Sequence, residues 1–278
     1  MPTITPSFTS VYGPVRSWRW GQSLGIDPIG PLSTCSFNCV YCQLGEIEHQ
    51  SDHRQLFIPT CKIQQDLQDL LAGQIDADQI DTVTLSGSGE PTLAQNLGEI
   101  LALAKQLLHR PVGVLTNGSL LHNPTVCAEL ALADWVAVKL DAVSADGLRR
   151  VNRPVASCSL PQLWEGLQQF RQRYSGHLAI QTMLLSDWSA SDQAEYSQQM
   201  QVLRPDEIQL NTPTRPCPLV HQLEARGNHL PDPAYPTRRL KPIQPELLQN
   251  WANQLERQLG IPVRYPLLNP TTQPNYST

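Results

Sequence analysis

No stretch of this sequence approaches the roughly eighteen consecutive apolar residues of a membrane span. Nor does it carry a basic excess: lysine and arginine number 20 against 25 aspartates and glutamates, a formal charge of −5. A protein that lives on nucleic-acid backbone shows such an excess or a dense basic stripe. Here "GLRRVNR" and "TRRLK" are short and far apart, so RNA contact is compatible with the composition but not favoured. The opening "MPTITPSFTS" lacks both the basic region and the apolar stretch of a secretory leader. Together these absences predict a cytoplasmic protein without a membrane segment. No repeat beyond the βα unit and no low-complexity tract is present. With 40% hydrophobic and 16% charged residues over 278 positions, the chain has enough apolar content for a substantial core.

The seven cysteines are odd in number, and in a reducing compartment they do not read as a disulfide framework. Three crowd into "TCSFNCVYCQ": Cys35, Cys39 and Cys42. None precedes them in residues 1–34, and the next, Cys61, lies nineteen positions beyond Cys42. Three unrelated thiols at this spacing would be a rare coincidence. A zinc site would complete itself with His49 or His53. A ferredoxin-type cluster needs a fourth cysteine. A cluster with one iron left open needs only three, and an open position is what substrate binding at a metal requires. Cys61, Cys127, Cys158 and Cys217 read as small buried hydrophobes, and His49, His53 and His109 as surface residues.

Between residues 80 and 211 short β-rich runs alternate with helical stretches. Strands are predicted at 80–86, 111–118, 135–141, 178–185 and 206–211. Helices are predicted at 95–109, 124–133 (Asn123 capping, Pro124 first), 161–174 and 191–203 (Ser191 capping). An earlier strand at "LGID" (24–27) and a helix at 63–72 complete a sixth unit. This alternation predicts a parallel sheet or barrel. Polar residues gather where the strands end: "SGSGEP" (86–91), "TNG", Lys139 with Asp141, and Asn211. In a parallel α/β barrel that rim binds ligands. Half of the 24 prolines fall between Pro213 and Pro274. That density argues against further βα units, so residues 213–278 read as an extension packed on a 1–212 core. The extension holds one helix, opened by Pro245 and stopped by Gly260.

The spacing C-x3-C-x2-C, with Tyr41 before the last cysteine, resembles the cluster motif of the radical S-adenosylmethionine superfamily. "SGSGEP" is similar to the Gly-Gly-Glu-Pro motif of that superfamily, with Ser88 in place of the first glycine. "LTNGSL", "KLDA", "LGID", "CQLG" and "IQLNTPTRP" resemble a subgroup of iron–sulfur oxidoreductases similar to the wybutosine-synthesis radical enzyme. The likeness spans about residues 10–216. The wybutosine enzyme has an extra cysteine cluster upstream, which this chain lacks.

The resemblance implies an α/β fold, a partial (βα)6 barrel with a Pro-rich, partly helical C-terminal extension. It implies a 4Fe–4S cluster on Cys35, Cys39 and Cys42, its fourth iron chelated by S-adenosylmethionine. That cofactor would be cleaved reductively to methionine and a 5′-deoxyadenosyl radical, which abstracts hydrogen from a substrate the sequence does not name. It further implies that Gly89 and Glu90 hold the methionine end, that Asn117 and Asp141 contact ribose or carboxylate, and that Asn211 and Tyr41 lie near the adenine. A low-potential donor of flavodoxin or ferredoxin type would supply the electron. The alternative reading is a non-catalytic iron–sulfur or zinc protein that carries electrons or binds a partner. Arg16 and Arg19, interleaved with Trp18 and Trp20, suit either packing or the grip of an anionic substrate, and Arg215 suits a carboxylate or phosphate clamp.

Overall fold

A computed structural model of the chain describes residues 8–73, 77–227 and 233–266. The first seven residues of the stretch read for a leader, and residues 267–278 of the extension, lie outside the described residues. One sheet organises the molecule. Its strands are β1 (Val11–Ser17), β2 (Gly21–Ile26), β3 (Thr82–Leu85), β4 (Val112–Thr116), β5 (Trp135–Lys139), β6 (His177–Met183), β7 (Glu207–Asn211) and β8 (Val263–Arg264). They lie side by side in chain order, and the sheet curls into a half barrel whose two edges do not meet. Strands β2 to β7 are parallel, the six that the sequence predicts. The helices that connect and flank them are α1 (Thr60–Gly73), α2 (Leu97–Leu108), α3 (Pro124–Leu130), α4 (Ala145–Val151), α5 (Leu160–Arg173), α6 (Ala190–Leu203) and α7 (Pro245–Leu259). Among the described residues no helix is long and apolar enough to cross a membrane.

Period-two alternation assigns the two faces of the sheet. Val83, Leu85, Val112, Val114, Val136, Val138, Ile180 and Ile208 turn outward into a core shared with the helices. The opposite face carries Thr84, Leu115, Lys139, Gln181 and Gln209 and lines the lumen. Trp20, in the turn between β1 and β2, stacks on Trp135 at 4.3 Å and 13° and meets the edge of His177 at 5.9 Å. This aromatic group stands where β5 and β6 begin, at the end of the lumen opposite the cysteine loop. Gly113 makes room for it, since a Cβ there would lie 1.9 Å from the Trp135 ring. The lumen opens at the C-terminal ends of the strands.

Four expectations are corrected. Strand β1 pairs antiparallel with β2 and extends the sheet beyond the six predicted strands. The Pro-rich segment does contain a further βα unit: α7 leads into β8, which pairs in parallel with β7. Proline permits this because Pro262 and Pro266 flank the two-residue strand, and the Pro262 carbonyl still accepts from Ile208 N at 2.9 Å. Helix α6 is capped by Ser189 and not Ser191: the Ser189 hydroxyl accepts from Asp192 N at 3.1 Å, which starts the helix one residue earlier. Cys61 is exposed and not a buried hydrophobe. Asn123 caps α3 as predicted, accepting from Thr125 N at 2.9 Å.

Candidate active site

The cysteine-bearing loop follows β2 and folds over the mouth of the lumen. Thr34–Cys35 and His49–Gln50 form a two-residue parallel ladder that ties its two ends. Within it, Cys42 N donates to Cys39 O at 3.0 Å, a tight turn that brings the last two thiols to one side. All three cysteines are free and half-buried. Nitrogen donors point at their sulfurs. Phe37 N and Asn117 Nδ2 lie 3.4 and 3.5 Å from Cys35 Sγ, and Asn152 Nδ2 lies 3.4 Å from Cys39 Sγ. Backbone N–H groups of Leu44 and Gly45 serve Cys42. Burial pushes all three thiols up, Cys35 far above its usual range and Cys39 to about 12. Lys139 opposes the shift at Cys39 and Cys42. As free thiols they keep their protons; thiolates here need a cationic partner.

"SGSGEP" runs from the end of β3 and is clamped against this loop. Thr34 N donates to Ser88 O at 3.2 Å, and Glu90 N donates to Thr34 O at 3.1 Å. Gly89 sits between them, where a Cβ would lie 1.7 Å from the Thr34 carbonyl oxygen. Glycine is therefore required by contact with the chain's own backbone. We expect Gly89→Ala to push the Thr34–Cys35 strand outward and to cost about 1–3 kcal/mol, as overpacking does. Urea unfolding and iron content both report this displacement; unchanged values in both would show that the two segments do not press together.

The Glu90 carboxylate is buried and faces protein. It accepts from Thr92 N at 3.1 Å, Thr92 Oγ1 at 2.7 Å, Thr116 Oγ1 at 2.6 Å and Asn117 N at 2.7 Å. Burial raises its pKa, and these four donors oppose the shift. Glu90 thus joins the end of β3 to the end of β4 and holds Asn117, which reaches Cys35 and also donates to Ser36 Oγ at 2.8 Å.

A second carboxylate works in the same way on the other side of the cysteines. Asp141 is buried just past β5. It accepts from Asn152 Nδ2 at 2.7 Å, from Met183 N at 2.8 Å and from the Tyr41 hydroxyl. Lys139 Nζ meets the same hydroxyl at 3.1 Å and lies 4.9 Å from the centre of the Tyr41 ring. Tyr41 and Asn152 thereby link Asp141 to the cysteine loop. The Oδ1 atom of Asn152, close to Cys39, is buried without a hydrogen-bond partner.

Beneath the loop lies a cavity of about 300 Å³, reaching from Tyr41 and Gln43 past Ser86, Gln181 and Met183 to Asn211. Of the residues singled out in the sequence, Cys35, Cys39, Cys42, Tyr41, Gly89, Glu90, Asn117 and Asp141 are joined by one set of contacts. Asn211 stands apart on the end of β7, sharing only the cavity with Tyr41. Arg16, Arg19 and Arg215 line the cavity as well. His53 is exposed, and among the described residues no three His, Cys, Asp or Glu side chains converge on a single ion. A four-iron cluster requires no such convergence, because each thiolate holds a different iron.

Sequence reasoning passed over Asp27, which anchors the whole assembly. It is wholly buried at the end of β2. Oδ1 accepts from Ile29 N at 3.0 Å and Gly30 N at 3.2 Å, and Oδ2 accepts from Ser88 N at 3.0 Å and Ser88 Oγ at 2.6 Å. The serine that departs from the glycine motif thus gains a specific partner. Arg226 completes the charge balance, its Nη1 lying 3.0 Å from Asp27 Oδ2. "LGID" flagged Asp27 only as part of a likeness, and nothing periodic marks Arg226.

A half barrel of parallel strands with three thiols over its C-terminal rim defines a radical S-adenosylmethionine protein. The family model described as the Radical SAM superfamily matches residues 29–195, more than half of the chain. The chain belongs to this superfamily, and within it groups with the UPF0026 proteins. UPF0026 protein slr1464 of Synechocystis sp. is 50% identical over 94% of this chain and 97% of its own length. UPF0026 protein MJ1312 of Methanocaldococcus jannaschii is 33% identical over 75% of this chain and 64% of its own length. The fold is shared with Streptococcus suis SuiB bound to S-adenosylmethionine, at TM-score 0.57 and 11% identity, over 87% of this chain and 46% of that one.

The superfamily implies a 4Fe–4S cluster and S-adenosylmethionine, and the residues present fit both. Each cysteine sulfur has nitrogen donors suited to a thiolate, the Asn152 Oδ1 acceptor is buried and unmet, and an open cavity adjoins the loop.

Proposed function

We propose that this chain is a radical S-adenosylmethionine enzyme whose substrate enters the half-barrel lumen. The observation that carries this reading is the placement of three donor-served thiols over the rim of the half barrel, on a loop whose Tyr41 and Gln43 line a cavity that reaches down to Trp20. An electron carrier or partner-binding protein has no need of such a chamber beside its cluster. When bound, the cluster supplies one electron to the sulfonium, releasing methionine and a 5′-deoxyadenosyl radical that takes hydrogen from the substrate.

The chain's own residues prepare for this. Cys35, Cys39 and Cys42 hold the cluster and leave one iron for the cofactor. Glu90 acts through Asn117, orienting an N–H toward Cys35. Asp141 acts through Tyr41 and Asn152, fixing the far side of the loop. Asn211 and the Tyr41 ring border the space left for the adenosyl group. A reductant of flavodoxin or ferredoxin type supplies the electron.

The test is anaerobic reconstitution. We expect about four irons per chain and slow formation of 5′-deoxyadenosine with dithionite and S-adenosylmethionine, even without substrate. A fully loaded protein that releases none would sink the proposal.

A further inference from the structure

Among the described residues, the charged side chains that line the cavity are all of one sign. Arg16, Arg19 and Arg215 line it, and no aspartate or glutamate does among the described residues. The rest of its polar lining is neutral, including Ser23, Thr84, Ser86, Gln181 and Asn211. In a chain of formal charge −5, this concentrates positive charge where the molecule as a whole is negative.

The arginines are also held in place. Arg19 places its Cζ over the Trp18 ring, 4.1 Å from the ring centre. Its Nε is buried without a hydrogen-bond partner. Burial, followed by repulsion from Arg215, lowers the Arg19 pKa to about 10. Glu207 is the acid that acts on Arg19, but its Oε1 accepts from Gln209 Nε2 at 2.6 Å and its Oε2 faces Arg264 Nη1 at 3.5 Å. Arg264 in turn donates to the backbone oxygens of Arg19 at 2.9 Å and Trp18 at 3.1 Å, holding the turn that carries the pair. Arg215 Nη1 donates to Gly227 O at 3.1 Å. Two separate segments, the β1 strand with its turn and the loop after β7, thus bring cations to one wall.

We infer that this wall is the recognition site for an oxyanion, phosphate or carboxylate, on a small-molecule substrate. Assigning that anion to the substrate rests on the radical reading above; the anion site itself does not. The arginines belong to neither the cysteine loop nor "SGSGEP", so the site is distinct from the one that holds the cofactor's methionine end.

Cluster-loaded full-length protein is titrated calorimetrically with inorganic phosphate and, separately, with succinate. We expect one of the two to bind in the millimolar range or tighter, the preferred probe identifying the anion as phosphate or carboxylate. Arg19→Gln and Arg215→Gln should each weaken it about ten- to a hundredfold, the range for a lost charge-assisted hydrogen bond. Arg149→Gln, on an exposed helix face, should leave it unchanged. Arg19→Lys keeps the charge and loses the fork, so it should bind the probe more weakly than wild type but still measurably, a readout that stands if the glutamine variant fails to fold. The inference falls if neither probe binds below about 50 mM, if the arginine variants bind as wild type does, or if saturating S-adenosylmethionine displaces the probe. 5′-Deoxyadenosine release by the wild type is measured separately. Its absence would overturn the radical reading alone, leaving the anion titration interpretable.

Discussion

Replacing Cys35, Cys39 or Cys42 with alanine is expected to remove essentially all of the iron from the reconstituted protein. Two thiolates do not retain a cluster that needs three. The same change at Cys61, Cys127, Cys158 or Cys217 should leave about four irons per chain. The structure makes this contrast sharp. Cys61 is exposed on α1, while Cys127 donates its thiol to Leu121 O at 3.1 Å inside the core. Cys217 is the informative control, because it lines the cavity and lies close enough to Cys42 for the two to repel as thiolates. Iron loss in Cys217→Ala would mean a fourth protein ligand, and the open-iron arrangement would be wrong. Iron analysis and the visible charge-transfer absorption settle the matter together.

The second large effect is expected at Asp27. Its carboxylate is fully buried and faces Arg226, itself only 9% exposed. Removing one partner of a buried pair strands the other charge, at a cost of about 3–5 kcal/mol. Asp27→Ala also frees Ser88, Ile29 and Gly30 from their acceptor. Against a total stability of about 5–15 kcal/mol, much of the folded population is at stake. Urea midpoints should fall steeply in Asp27→Ala and in Arg226→Met. The double variant Asp27→Ala with Arg226→Met should recover part of the loss, because no lone charge remains. Simple additivity of the single effects would show that the two residues do not act as a pair.

The parts legible in the sequence are those where one local rule decides. Strands β3 to β7 each carry core-facing apolar residues at every second position, and α2 and α5 show a clear helical spacing of apolar residues. Asn123 before Pro124 announces a cap that nothing downstream contests. The cysteines declare themselves by spacing alone. The remainder depends on partners distant in the chain. Helix α4 is seven residues long and contains Gly147 and two arginines, so its apolar period is too brief to see; it depends on Ser144, whose hydroxyl accepts from Gly147 N at 3.1 Å. Strand β8 is two residues between prolines and exists because β7 offers a free edge. Ser189 and Ser191 look alike until Asp192 chooses between them. Glu90 and Asp141 are assigned to the cofactor by the family resemblance alone; their contacts with Asn117, Thr116, Tyr41 and Asn152 join residues far apart in the chain and leave no local mark in the sequence.

The strand order has a consequence for how the protein is made. Each strand pairs with the one that precedes it in the chain, so the sheet can assemble behind the ribosome, one unit at a time. The Asp27–Arg226 contact breaks that pattern, since its partners are 199 residues apart. During most of synthesis Asp27 therefore has no counter-ion, and the segment beside the cysteines keeps access to water. Sealing of that corner is deferred until the arginine emerges, by which time β2 to β7 are already available as a template. A nascent chain arrested before Arg226 should be helical and sheet-rich yet cleaved readily by protease between Ile26 and Gly89.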